Sequence, residues 1–203
     1  MDKEQAKRFS DHSSDMDFLF EKTLEFAKKI PAGIPFVEVG TRAGGSALLF
    51  AVAIQESKIQ RPLFTIDPYG NKPYLRGKEV LNMNYNDGYY LTAMKELANF
   101  CQETKQFHYH WRMRSLDFIK IYDSIPMWFE GKEIPKEIGF AYLDGDHEEN
   151  TIQEEITWFS SKMKYNGLVV IDDSEYVIES EKPIIKQFIE NGYQHSNRLY
   201  FEI

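Results

Sequence analysis

The sequence has a single cysteine, Cys101, in 203 residues, so no internal disulfide can form and the fold must rest on a packed core. A chain of this length can bury roughly 70% of its unfolded surface, enough for one domain without staples. Cys101 lies in the helical pattern AMKELANFCQE with no His or Asp beside it, and reads as a packing residue. No apolar run approaches the roughly 20 residues of a membrane-spanning helix. The opening MDKEQAKRFSDHSSDMDF has no signal-type hydrophobic stretch, so no membrane partner and a cytoplasmic location are expected. A basic stripe is also missing: 24 Lys and Arg, scattered among 32 Asp and Glu, leave a net charge of −8. That balance repels a phosphate backbone and argues against nucleic acid as a partner. There is no internal repeat and no low-complexity tract.

The composition that remains, 42% apolar, 15% aromatic and 28% charged, is that of a soluble globular domain. After a polar segment at 1–16, expected to be mobile, Phe18, Leu19, Thr23, Phe26, Ala27 and Ile30 recur at helical spacing until Pro31. The apolar stripe of that helix suggests a homodimer contact. Short apolar runs then alternate with helical patterns. Strands are predicted at 36–39, 63–66, 107–111, 139–143 and 168–171, with helices near 44–57, 89–104, 115–123, 148–164 and 181–191. LYFEI closes the chain as a last strand. This rhythm predicts an α/β fold, a Rossmann-like three-layer sandwich with a mostly parallel central sheet and helices on both faces, as a single domain over 1–203. Two stretches break the rhythm, 68–88 and 125–137, and are candidate lid or substrate loops. Their aromatics, Tyr69, Tyr74, Tyr85, Tyr89, Trp128 and Phe129, fit either a pocket lining or loop packing.

Chemistry gathers at the strand ends. FVEVGTRAGGSALLF is a strand, a glycine turn and an apolar helix, the arrangement in which N–H groups at a helix start face a ligand. Arg42 occupies the second glycine position of a dinucleotide fingerprint, which weakens a pyrophosphate fit. FTIDPYG ends its strand in Asp67, placed to accept hydrogen bonds from ribose hydroxyls or simply to open an Asp-Pro turn. AYLDGDHEEN and LVVIDDSEY end theirs in Asp144 and in Asp172 and Asp173. On a parallel sheet these three acids converge on one edge, where carboxylates about 4 Å apart repel by roughly 4 kcal/mol per pair at an effective dielectric near 20. A cation relieves that, and oxygen ligands suit Mg²⁺, with Mn²⁺ or Ca²⁺ as alternatives. His147 follows Asp144 by three residues, and a neutral imidazole there can act as a general base. The bland alternatives are turn-forming aspartates, helix caps and a harmless first-turn histidine. Asp146 has no assigned role. His108 and His110 alternate on one strand face like a metal pair, but no carboxylate partner is evident and a core or edge position fits better.

Glu38, Gly40, Gly44 and Ser46, in E-x-G-x-x-x-G-x-S, together with Asp67 and the acids above, resemble the class I S-adenosylmethionine-dependent O-methyltransferases. The acids resemble in particular the cation-dependent branch, of macrocin and catechol type. The resemblance spans roughly residues 36–173. It implies that Glu38, Gly40, Gly44 and Ser46 hold the amino-acid end of S-adenosylmethionine and that Asp67 holds its ribose. Arg114 and Ser115 would border the adenine, and Asp144 would also lie against the cofactor. It further implies a metal site at Asp144, Asp172 and Asp173, catalysis by His147 with Asp144, and a small-molecule hydroxyl as methyl acceptor. Three rival functions remain in view: a metal-dependent hydrolase using the same acids, a nucleotide-cofactor oxidoreductase, and a non-catalytic cofactor-binding module.

Overall fold

The computed structural model describes residues 2–8, 15–70, 74–76, 79–81 and 87–203, and the side chains of 71–86 lie outside that description. Apolar runs predicted as strands become the middle of one sheet because both their faces are covered. β1 (Phe36–Val39) and β2 (Pro62–Ile66) are buried at every position, as is β8 (Ile138–Leu143), the pattern of a parallel sheet sandwiched between helices. With β5 (Phe107–Trp111), β9 (Met163–Ile171), β10 (Tyr193–His195) and β11 (Arg198–Glu202) they form a seven-stranded sheet in the order β10-β11-β9-β8-β1-β2-β5. β5, β2, β1, β8 and β9 run parallel, whereas β11 is antiparallel to both its neighbours.

The helices α2 (Met16–Lys29), α3 (Gly45–Ser57), α4 (Asp87–Thr104), α5 (Ser115–Ile121), α6 (Glu149–Lys162) and α7 (Pro183–Asn191) fill the connections, and a short α1 (Lys3–Lys7) precedes them. Strand alternation divides the core in two. Phe140 and Tyr142 of β8 pack with Leu19, Phe26, Leu48 and Phe50 of α2 and α3 on one face. Ala141 and Leu143 pack with Phe118, Ile156, Phe159 and Phe188 of α5, α6 and α7 on the other. The expected three-layer sandwich is therefore the fold. No helix among the described residues is long and apolar enough to cross a membrane.

Several expectations change in detail. Residues 3–7, expected within a mobile arm, form α1 with Ala6 fully buried. The apolar stripe of α2, read as a dimer contact, is covered by α3 and the sheet, with Leu19, Phe26 and Ala27 at 0% exposure. β9 starts at Met163 rather than 168, and β10 was not foreseen because YQH carries no apolar pattern. Both loop segments contain hairpins: β3 (Tyr74–Arg76) with β4 (Glu79–Leu81), and β6 (Trp128–Phe129) with β7 (Lys132–Glu133). Of the loop aromatics, Tyr85 and the side chain of Tyr74 lie outside the described residues. Phe129 is buried against Phe107 while Trp128 is exposed.

Candidate active site

The hydrogen-bond ladder of the sheet runs one residue beyond the strands. Gly40 donates to Ile66, Asp67 to Trp111, Asp144 to Val39 and Asp172 to Leu143, each backbone N–H reaching a carbonyl at 2.9 to 3.1 Å. Gly40, Asp67, Asp144 and Asp172 are thus locked side by side on the C-terminal edge, where parallel sheets bind ligands. Three non-glycine residues adopt positive φ at this edge, Arg42 (46°), Tyr69 (44°) and Asp173 (47°). Such backbone is uncommon and clusters at functional sites.

Gly40 has φ 86°, and a Cβ there would stand 1.9 Å from the carbonyl oxygen of Asp144. Only glycine lets the end of β1 pass that close to the end of β8. Gly44 (φ 88°) starts α3 without a side-chain cap, so the first-turn N–H groups of α3 receive no capping side chain. Asp67 closes this turn from β2: its Oδ2 accepts the Arg42 N–H at 2.9 Å and its Oδ1 the Tyr69 N–H at 2.8 Å. Tyr69, one of the loop aromatics that fit either a pocket lining or loop packing, donates its hydroxyl to the Arg42 carbonyl at 2.7 Å and packs against Tyr90 and His110.

Glu38 projects from β1 into the layer under the turn and is completely buried. Ser46 donates its hydroxyl to Oε1, whereas Oε2 has no hydrogen-bond partner among the described residues. Burial, reinforced by Asp144 and Asp67, pushes its pKa up to about 8. Burial likewise raises Asp67. Ser115 is buried at the start of α5 and Arg114, its neighbour, is exposed. Below Ser115 lies a carboxyl that the sequence reading passed over. Glu155 of α6 is 1% exposed, its Oε1 has no partner among the described residues, and burial lifts its pKa to about 7.

The acids at the ends of β8 and β9 divide. Asp144, His147 and Asp173 come together with one ligand atom from each within 4.8 Å of the others. His147 Nε2 lies 3.7 Å from Asp144 Oδ1 and 3.7 Å from Asp173 Oδ2, too far for hydrogen bonds. Burial would lower the His147 pKa, but the Asp144, Asp173 and Asp172 carboxylates outweigh it and the net shift is upward. Asp172 does not join them. Its carboxylate meets the Arg198 guanidinium at 2.7 Å. Burial and the facing Asp144 push Asp172 up to about 8 against the pull of Arg198. Asp146 accepts the Glu148 N–H at 3.1 Å and so forms the turn into α6. The His108 and His110 pair is engaged by one hydroxyl, Thr65 Oγ1, at 2.8 and 2.9 Å. Burial holds their pKa values down at about 3 and about 4.

A twisted α/β sheet with a glycine turn, an acid after β2 and an acid-histidine cluster at one edge defines a class of enzymes built around a nucleoside cofactor. Residues 37–174, more than half of the chain, match the family described as a methyltransferase domain. The chain belongs to that family and is a class I methyltransferase of the S-adenosylmethionine-dependent kind. Among solved structures it is similar to cofactor-bound Rv0187 from MTB, with 13% identity, 88% of this chain and 68% of that one covered, and a TM-score of 0.52. It is similar also to the O-methyltransferase NovP, at 15% identity, 91% and 78% coverage and a TM-score of 0.53. CalS11, a TDP-rhamnose 3'-O-methyltransferase of calicheamicin biosynthesis, gives 12%, 91% and 77%, and 0.53. At these identities the likeness is one of fold. No curated protein matches the chain in sequence.

Proposed function

We propose that this protein transfers the methyl group of S-adenosylmethionine to a hydroxyl of a small molecule, assisted by a divalent cation. The observation that carries the reading is the juxtaposition of the Asp144, His147 and Asp173 cluster with the Glu38, Ser46 and Asp67 cradle on one sheet edge. Similarity in fold to the O-methyltransferase NovP and to CalS11, a TDP-rhamnose 3'-O-methyltransferase, supports a small hydroxyl compound as acceptor.

S-adenosylmethionine supplies a methyl group already activated as a sulfonium, and a cation at Asp144 and Asp173, Mg²⁺ or else Mn²⁺ or Ca²⁺, would lower the pKa of the acceptor hydroxyl. The chain supplies the rest. Glu38, through its partnerless oxygen, and Ser46 receive the ammonium and carboxylate of the amino-acid end, and the first turn of α3 favours negative charge there. Asp67, held by the backbone N–H groups of Arg42, Tyr69 and Thr41, would accept the ribose hydroxyls on its remaining lone pairs. Ser115 and Arg114 border the base. His147 takes the proton from the acceptor hydroxyl at Nε2, and Asp144 and Asp173 stabilise the imidazolium that results. Gly40 lets β1 and β8 approach closely enough to align cofactor and acceptor, and alignment can contribute roughly 7 to 11 kcal/mol in favourable cases.

Calorimetric titration of S-adenosylmethionine into metal-free protein, repeated with Mg²⁺ and with Asp67→Ala, tests the reading. Micromolar binding that Asp67→Ala abolishes is expected. Absence of binding with and without Mg²⁺ would overturn it and turn attention to a hydrolase using the same acids.

A further inference from the structure

Adjacent residues at a strand end project to opposite faces of the sheet, and the pair Asp172-Asp173 obeys that rule. Asp172 continues the face of Val170, toward the α2 and α3 layer, and there it meets Arg198 of β11 at 2.7 Å between Nε and Oδ1. Arg198 is 0% exposed, and its Nε also lies 3.3 Å from the Tyr142 hydroxyl of β8. Asp173 turns away through φ 47°. Its Oδ1 accepts Asn197 Nδ2 at 3.1 Å, and the Asn197 carbonyl accepts the Ser174 N–H at 2.8 Å. Its other oxygen, Oδ2, is the one that faces His147. Asn197 of the turn between β10 and β11, and Arg198 at the start of β11, therefore hold the two successive acids apart, one by an amide and one by a charge.

We propose that Arg198 withholds Asp172 from the cation, so that the site is built on Asp144 and Asp173 and Arg198 is its positioning residue. This rests on the metal-assisted reading above. It departs from the expectation, carried by the resemblance, that both acids ending β9 bind the ion. Arg198 engages the Asp172 carboxylate at 2.7 Å, and the carboxylates grouped with His147 are those of Asp144 and Asp173. Asn197 sets the direction of Asp173. A cation entering the cluster then finds a preset pair of oxygens rather than three mutually repelling ones.

The test is a Mn²⁺ titration of the full chain, followed by the electron paramagnetic resonance signal of free Mn²⁺, with melting temperature recorded for every variant. The wild type binds. Asp173→Asn is expected to weaken binding by at least about 10-fold, while Asp172→Asn changes it by less than about 3-fold. Arg198→Gln frees a carboxylate and removes a nearby positive charge, so it should tighten binding by about 3-fold or more. Adding Asp172→Asn to Arg198→Gln should return the affinity to that of the wild type. A purely structural role for Arg198 predicts only loss, never a gain reversed by the second substitution. If Arg198→Gln alone fails to fold because it strands a buried charge, Asp172→Asn and the double variant, which carry neutral isosteres, still decide. Equal losses in Asp172→Asn and Asp173→Asn would overturn the division of roles while leaving the metal-assisted reading intact. A wild type that binds no Mn²⁺ would overturn both.

Discussion

Glu38 gives the sharpest quantitative handle. In the unfolded chain its carboxyl titrates near its ordinary value of 4.5, and in the fold burial holds it at about 8. Below pH 4.5 both states carry the proton and folding is indifferent to it. As pH rises through the unfolded value the unfolded chain ionises while buried Glu38 does not, so stability falls. The loss is complete once pH passes the folded value. The full displacement corresponds to as much as about 5 kcal/mol, comparable with the whole stability of a small domain. Glu38→Gln removes the titration but keeps a group that can bond Ser46. Urea unfolding at pH 5, 7 and 9 should show the wild type losing stability more steeply than Glu38→Gln, with most of the divergence between pH 5 and 8. Parallel pH profiles for the two proteins would refute the argument. A cofactor ammonium beside Glu38 would restore the ionised form, so binding at pH 7 should release a proton. That release is read as a calorimetric enthalpy that varies with the ionisation enthalpy of the buffer.

His147→Ala should lower kcat by about 10²- to 10⁴-fold on any acceptor that turns over, leaving cofactor affinity unchanged. With His147 as the base, the wild-type rate should rise with pH as the imidazole loses its proton, and His147→Ala should abolish that rise; identical pH profiles for the two proteins would exclude His147 as base. Gly40→Ala places a methyl 1.9 Å from the Asp144 carbonyl at φ 86°; a loss above about 3 kcal/mol in denaturant unfolding is expected, and a stable variant would show that the edge is not so tightly closed. Trp128 and Phe129 should part company, since Trp128 is 57% exposed and Phe129 is 7% exposed. Phe129→Ala should cost about 3 kcal/mol and Trp128→Ala under about 0.5. A raised KM in Trp128→Ala without loss of stability would place that ring against the acceptor.

What could be read in the sequence was what period and punctuation encode. Continuous apolar runs gave β1, β2 and β8, and the Gly-Thr-Arg-Ala-Gly turn gave the start of α3, because both signals are local. β10 could not be read, since YQH is held only by pairing with β11, and the buried Phe129 looks like its exposed neighbour until Phe107 is placed beside it. The histidine pair reads as core or edge residues, and what joins the two rings, a single Thr65 hydroxyl, depends on the pairing of β2 with β5. Glu155, two turns into α6, offered no cue: it stands in the charged run QEE, and only its 1% exposure marks it out.

The tandem acid at 172 and 173 shows where residue identity stops short of chemistry. Asp-Asp in one dimension is two equal ligands, and the convergence of strand ends on one edge encouraged that reading. Strand alternation alone argues against it, because consecutive side chains leave a strand on opposite faces, and the positive φ of Asp173 turns the chain away beyond Asp172. Which of the two acids turns toward His147 is decided by residues about 25 positions later, Asn197 and Arg198, whose proximity follows from the antiparallel return of β11 beside β9. The charge count at the site is therefore a property of topology: an unpaired Asp172 would make the edge a three-carboxylate trap for cations, and with Arg198 against it the edge is a pair of carboxylates with an imidazole between them.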